Sequence, residues 1–291
     1  MSTLETIAVR EWSARFTPED QFRAMTALEE GKVLFFPHLA FPLAAEERGF
    51  LTAGAAGGQR KNVSLDPATG RLSGGSASVN VQALAAMIER FGQQATALAR
   101  ALLPSYAPQL ERARTSFRPV EARDRQQSPR HDDRLLHVDA FPTRPMRGRR
   151  ILRFFTNVSP SNAPRVWRVG MPFAEFAHHF VPHLRAPLPG ASAVLAALGL
   201  TKGRRSRYDA LMLGLHDAGK KDAAWQCGSP QETVAFPAGS SWMCFTDSVL
   251  HAAMSGDGAL EQTFHIPIAV MARPALAPLL VLEDLTGQRL V

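Results

Sequence analysis

A chain of 291 residues with 45% hydrophobic side chains is long enough to bury a sizeable core, which excludes disorder over its whole length. Thirty-three Lys and Arg against 26 Asp and Glu leave a formal charge of +7, which favours an anionic partner over a cationic one. Only two cysteines, Cys227 and Cys244, are present and they lack CxxC spacing, so a disulfide framework is excluded and a reducing cytosol is the expected setting.

Along the chain, Thr17-Pro-Glu-Asp predicts the start of an amphipathic helix within residues 1–31, with Thr17 as cap and Pro18 in the first turn. Lys32 to Pro37 reads as a strand. Residues 44–58 are expected to be helical, ending in a small-residue turn over Gly54 to Gly58, and Lys61 to Gly75 reads as an ordered loop. From Val81 to Leu110, apolar residues recur at helical spacing (Leu84, Met87, Ile88, Phe91, Ala95, Leu98, Leu102), which predicts a long scaffold helix. Thr115 to Glu121 is a strand candidate, and a polar stretch from Ala122 leads to Leu135-Leu-His-Val-Asp-Ala-Phe-Pro142, read as a short strand.

Arg150 to Pro160 is rich in branched and aromatic residues and predicts a strand carrying Arg153, Phe155 and Asn157 on one face. Phe173 to Leu184 contains His178, His179 and His183. Without a nearby carboxylate or cysteine they are read as helix residues rather than a metal site. Tyr208 to Asp217 suits a helix, with a strand as the alternative, and Thr233 to Phe245 alternates and turns like a hairpin. Leu260 to Met271 follows as another strand. The apolar run from Ile266 to Leu282 is broken by Arg273 and three prolines, and the first residues carry Glu5, Arg10 and Glu11 without an apolar h-region, so neither a membrane span nor a secretory signal is expected. Strands in the second half with helices toward the N-terminus suit an antiparallel double-sheet barrel supported by helices. The expected organisation is one domain over 1–291: a helix-rich part over 1–110, then a β core over 111–291 with an insertion around 170–230.

The chemistry is expected at His137 and Asp139. Strand side chains alternate faces, so these two point the same way while Leu136 and Val138 point into the other layer. A third metal ligand must come from elsewhere, and His251 in Phe245-Thr-Asp-Ser-Val-Leu-His is the best candidate. Two histidines and one carboxylate on one octahedral face leave three adjacent positions open, the arrangement of non-haem Fe(II) oxygenases. The H-x-D pair alone is too short to carry that reading. Arginines cluster at Arg144, Arg147, Arg149, Arg150 and Arg153 and again in Lys202 to Arg207; with no helix-turn-helix, zinc-finger or RNP pattern, nucleic acid is not the expected partner.

With those residues in place, the chain resembles the Kdo hydroxylases, Fe(II)/2-oxoglutarate-dependent dioxygenases acting on 3-deoxy-D-manno-oct-2-ulosonic acid (Kdo). The matching segments are His137-Val-Asp-Ala-Phe-Pro-Thr-Arg-Pro, Arg149-Arg-Ile-Leu-Arg-Phe-Phe-Thr-Asn-Val-Ser-Pro, Arg165-Val-Trp-Arg-Val-Gly, Ser240-Ser-Trp, Phe245-Thr-Asp and Leu260-Glu-Gln-Thr-Phe-His-Ile-Pro. The resemblance implies a double-stranded β-helix with flanking helices, and Fe(II) held by His137, Asp139 and His251. It further implies hydroxylation at C3 of Kdo in the lipid A-linked core sugar of lipopolysaccharide, with 2-oxoglutarate and O2 as co-substrates and succinate and CO2 as co-products. The wider superfamily often binds the distal carboxylate of 2-oxoglutarate through an Arg shortly after the second His. Here that region reads Glu261-Gln262-Thr263, so another cation must serve. Arg153 is expected, with Asn157 and Gln262 as neutral partners and Arg118 as second choice. Arg144, Arg147 and Arg168 are expected to meet the sugar acid, and Lys202 to Arg207 a lipid headgroup at the cytoplasmic leaflet of the inner membrane, the enzyme being cytoplasmic or peripheral there. The alternatives are a 2-oxoglutarate oxygenase of another sugar, lipid or amino acid, and a non-catalytic protein binding anionic lipid or polysaccharide.

Overall fold

Eleven strands and seven α-helices follow one another in the computed structural model, which describes residues 2–57, 62–123, 128–184 and 190–291. In chain order they are β1 (Leu4–Thr6), α1 (Pro18–Glu29), β2 (Val33–Phe36), β3 (Val63–Leu65), β4 (Leu72–Ser73), α2 (Val81–Leu102), β5 (Glu111–Arg118), β6 (Arg150–Asn157) and β7 (Arg165–Gly170). Then come α3 (Phe173–Phe180), α4 (Ala191–Ala197), α5 (Arg207–Lys221), α6 (Ala223–Gly228), β8 (Gln231–Phe236), β9 (Ser241–Phe245), β10 (His251–Ser255), β11 (Ala259–Ile266) and α7 (Pro278–Thr286). The major sheet runs β1-β2-β9-β6-β11-β5-β3-β4 and the minor sheet β10-β7-β8. Between them they form the expected jelly-roll core with flanking helices.

The core is built in layers. Every residue of β6 and β11 is buried, because both faces of the major sheet are covered. On one face lies α2, whose predicted apolar stripe from Leu84 to Leu102 is fully buried against Phe117, Phe154, Leu260 and Phe264. Asn80 caps this helix by accepting from the Ala83 amide. On the other face Phe155 and Trp242 meet Trp167, Val169, Val234 and Phe236 of the minor sheet, with Phe155 and Trp242 stacked at 5.3 Å. A third cluster joins Leu136, Val138 and Leu250 to Phe176, Leu215 and Trp225 of the helices between β7 and β8.

Several expectations are corrected. Residues 44–58 form two short 3-10 turns, Glu46–Phe50 and Ala53–Ala55, instead of a helix; Gly58 and Lys61 lie outside the described residues. The loop after them contains the small β3–β4 hairpin. The long helix stops at Leu102, where Pro104 lies just ahead. Tyr208 to Asp217 is helical as expected, rather than the alternative strand, with a complete capping box between Ser206 and Asp209. The expected hairpin over Thr233 to Phe245 does not pair with itself: β8 joins β7 in the minor sheet and β9 joins β6 and β2 in the major one. Pro237 to Gly239 is therefore a corner between sheets. Local alternation predicts strands, but it cannot say which sheet each one enters.

Candidate metal centre

His137 and His251 are brought together by backbone pairing. The His137 amide donates to the His251 carbonyl at 3.1 Å and the His251 amide returns the bond at 3.0 Å, so the two histidines face each other across an antiparallel bridge. The expected strand around His137 is reduced to that single bridge. Asp139 is fixed by its own amide, which donates to Thr246 at 2.7 Å. The ligand atoms of His137, Asp139 and His251 all lie within 4.8 Å of one another. Among the described residues this is the only such cluster, so the histidines of α3 take no part in one.

The geometry suits a metal on three counts. The His137 Nδ1 contacts the Leu135 carbonyl at 2.8 Å and the His251 Nδ1 contacts that of Val249 at 2.9 Å; a carbonyl accepts only from a protonated nitrogen. Each imidazole thereby leaves its Nε2 lone pair for an ion. Burial, with the neighbouring His251 and Lys220, holds His137 well below the ordinary histidine range, and burial also lowers His251, so both stay neutral as ligands must. Asp139 Oδ2 is buried without a hydrogen-bond partner. Burial alone would raise this carboxyl, but Arg153 and the two histidines outweigh it and hold it ionised. Arg153 Nε sits 3.1 Å from Oδ2 yet is itself unpartnered, so the pair attracts without using up the oxygen's lone pairs.

Around the triad lies a cavity of about 200 Å3 that also takes in Arg118, Asp133, Phe155, Arg165, Trp167 and Glu261. A larger cavity of about 720 Å3 between α5 and the C-terminus holds none of these groups, and we place the chemistry in the smaller one on its ligand set. Trp167 stacks on the His251 ring at 5.1 Å and 24°, fixing its plane. Arg153 and Arg118 converge on Glu261 at 2.9 and 2.8 Å. Burial would raise the Glu261 carboxyl, but these two guanidinium groups keep it below its ordinary range.

Not every residue singled out in the sequence reaches this cavity. Arg118 and Arg153 do. Asn157 shares the Arg153 face but lies at the end of β6, where its side-chain amide donates to the Ala163 and Phe236 carbonyls and its oxygen accepts from Ser159. Gln262 points to the opposite face from Glu261, because β11 alternates; it bonds Thr115, Arg112 and the Ala113 carbonyl beneath α2. A Cβ added at Gly92 of α2 would collide with that same network. Arg168 likewise faces away from the cavity, donating to Met254 Sδ and the Arg134 carbonyl, while its neighbours Arg165 and Trp167 face in. Arg147 occupies a left-handed turn at φ 51° and donates to Asp209 and the Arg204 carbonyl, outside the cavity. Arg144 pairs with Glu111 at 3.4 Å beside a neighbouring cavity.

The residues missed by sequence reasoning were visible in part. Arg165 and Trp167 alternate with Arg168, and only the choice of face was wanting. Gln226 had no sequence signal: from α6 it accepts from the Leu136 amide at 2.8 Å and donates to the Leu136 carbonyl at 2.9 Å, filling the place of a missing strand beside His137.

The comparisons with known proteins agree with this centre. A family model described as 3-deoxy-D-manno-oct-2-ulosonic acid (Kdo) hydroxylase matches residues 11–289. A crystal structure of the Kdo hydroxylase KdoO, a non-heme Fe(II) alphaketoglutarate dependent dioxygenase, in complex with alphaketoglutarate and Fe(III), is 44% identical, with a TM-score of 0.95 over 99% of this chain and 97% of that one. Its cobalt(II) complex is 45% identical, with a TM-score of 0.97 over 100% and 98%. No curated protein matches the chain. On a match that spans nearly the whole sequence, the chain belongs to the Kdo hydroxylase family.

Proposed function

We propose that the protein uses Fe(II), 2-oxoglutarate and O2 to hydroxylate C3 of Kdo in lipid A-linked core sugar, with His137, Asp139 and His251 as iron ligands. The observation that carries this reading is the two-histidine, one-carboxylate cluster whose free lone pairs converge within 4.8 Å. Iron held there with 2-oxoglutarate activates O2 for insertion of one oxygen atom into an unactivated C–H bond and releases succinate and CO2. The chain's own residues position, neutralise and dry the site. Three guanidinium groups (Arg118, Arg153, Arg165) face three carboxylates (Asp133, Asp139, Glu261), and the histidines are neutral. A ferrous ion leaves two positive charges in excess, which a dicarboxylate dianion cancels.

For the distal carboxylate of 2-oxoglutarate we favour Arg165 over Arg153. Arg153 touches the metal ligand Asp139 and Glu261, so it sits at the chelating end. Val169 is the register partner of His251, and Arg165 lies four residues farther along β7, about 13 Å at strand rise, which places its base beyond Trp167. The Trp167 Nε1, buried and without a partner, is a second donor on that wall. Arg165→Ala is expected to raise the KM for 2-oxoglutarate at least about tenfold, the worth of one charge-assisted contact, with a smaller change for the sugar substrate. An unchanged KM returns the role to Arg153 or Arg118.

Among the described residues no helix is long and apolar enough to cross a membrane. Val194, Leu198 and Leu200 are 58%, 66% and 58% exposed and precede the basic residues Arg204, Arg205 and Arg207, a pairing that suits peripheral contact with anionic lipid. One experiment tests substrate and setting together: Kdo-lipid A in anionic vesicles, incubated with enzyme, Fe(II) and 2-oxoglutarate. The expected result is a mass gain of one oxygen atom confined to Kdo, stoichiometric succinate, and protein sedimenting with the vesicles in a salt-sensitive manner. Succinate formed without oxidised Kdo points to another substrate, and protein left in the supernatant sinks the membrane contact.

A further inference from the structure

The metal cavity continues into a second space. Arg118, Arg153 and Glu261 also line a neighbouring basin of about 240 Å3, so the two cavities share a three-residue partition. The inner faces of two strands carry on into the basin: Ser116 and Arg114 beyond Arg118 on β5, and Thr263 and His265 beyond Glu261 on β11. Ser64 adds a third hydroxyl from β3, bonded to Ser116 at 2.8 Å. The basin is thus a polar extension of the site, adjoining it at Arg118, Arg153 and Glu261.

Its charge is one-sided. Arg114, Arg144 and Lys202 all line it. Glu261 is already neutralised by Arg118 and Arg153. Asp66, the other acid there, accepts from the Ala68 amide of its own turn at 3.0 Å. Arg144 holds the looser of two ion pairs on Glu111, at 3.4 Å against 2.6 Å for Arg149. Among the described residues, the side chains of Arg114 and Lys202 make neither an ion pair nor a hydrogen bond. Lys202 is nonetheless held in place through its backbone, whose amide donates to the Thr143 carbonyl at 2.8 Å, while Arg205 Nε donates to the Pro142 carbonyl at 3.2 Å. Two exposed cations with no partner among the described residues, lining a hydroxyl-rich cavity next to a metal centre, are placed to receive an anion.

We infer that this basin binds the reacting sugar acid, with Arg114 and Lys202 taking its carboxylate and Ser64, Ser116 and Thr263 its hydroxyl groups, which makes the two cations specificity-determining residues. The inference rests on the functional reading above and adds the subsite. A cavity of about 240 Å3 lies just under the range for drug-sized ligands and fits one sugar ring, so the rest of a glycolipid stays outside. It also separates tasks that the sequence had merged: Arg144 stays at the substrate, while Arg147 and Arg168 do not.

The test is calorimetric titration of the metal-free protein with the methyl glycoside of Kdo and with the methyl ester of that glycoside, in wild type and in Arg114→Ala/Lys202→Ala. The acid is expected to bind wild type at least about tenfold more tightly than the ester, and the double variant to bind both equally weakly. The single variants should lose part of the affinity, with the melting temperature unchanged because neither side chain has an ion pair or hydrogen bond among the described residues. Equal binding of acid and ester to wild type, undiminished binding by the double variant, or no binding by wild type would each overturn the inference. Wild type that binds the acid but, loaded with Fe(II) and 2-oxoglutarate, leaves it unoxidised sinks the functional reading and keeps the subsite.

Discussion

Asp139→Ala is expected to lower Kdo hydroxylation by more than about 100-fold while the protein stays folded. Losing a hydrogen-bond partner behind a metal ligand typically costs about 10–100-fold, and losing the ligand itself costs more. Asp139 is the one anionic member of the triad, so without it two neutral imidazoles face a divalent ion in a buried site. The fold is spared because the structural bond at this position is made by the backbone, from the Asp139 amide to Thr246, and alanine keeps it. Arg153 keeps its ion pair with Glu261 at 2.9 Å, so no bare charge is left behind. Fe(II) titration under anaerobic conditions, watching the visible band of the 2-oxoglutarate complex, should show the band lost with an unchanged melt of the metal-free protein. Full turnover by this variant would remove Asp139 from the metal shell.

The largest loss of stability is expected at Arg150→Ala. Arg150 and Asp247 are each 1% exposed, and the guanidinium meets both carboxylate oxygens at 2.8 and 3.1 Å, the Ser248 hydroxyl at 2.8 Å and the Phe245 ring at 3.9 Å. Taking away the cation leaves a carboxylate in the interior, which costs about 3–5 kcal/mol. The effect extends to the site, because Asp247 lies in the connection between β9 and His251. Denaturant unfolding of the metal-free protein reads the loss, and Fe(II) affinity should fall in parallel. Replacing both partners by apolar residues of similar volume, Arg150→Met with Asp247→Leu, should recover most of the stability, since neither charge then remains unpaired. A loss below about 1 kcal/mol for the single variant, the worth of an exposed pair, would contradict the buried pairing.

What could be read before folding followed from local rules. The seven apolar positions of α2 recur at the helical period and are all buried; Thr17 caps α1; the faces of β6 alternate as expected. The shared face of His137 and Asp139, opposite Leu136 and Val138, was read from strand alternation although only a single bridge forms there, and His251 was chosen for its place at the end of a β-rich segment. Errors arose where a side chain's meaning depends on a neighbour distant in sequence. Gln262 and Arg168 carry the right chemistry on the wrong face, set by where β11 and β7 enter their sheets. Asn157 has the right face but the wrong end of the strand.

By itself, the sequence determined the secondary structure of the longer elements, the apolar layers and the three side chains able to hold iron, because each depends on periodicity or residue type within a few positions. Only the tertiary structure decided that β8 and β9 part into different sheets and that Gln226 stands in for a strand beside His137. It also decided that Glu261 binds Arg118 to Arg153 and that Arg114 and Lys202, without partners among the described residues, line the cavity beside them. Those outcomes are set by which backbone hydrogen bonds and which opposite charges remain unsatisfied once the layers close, and that balance exists only in the assembled fold.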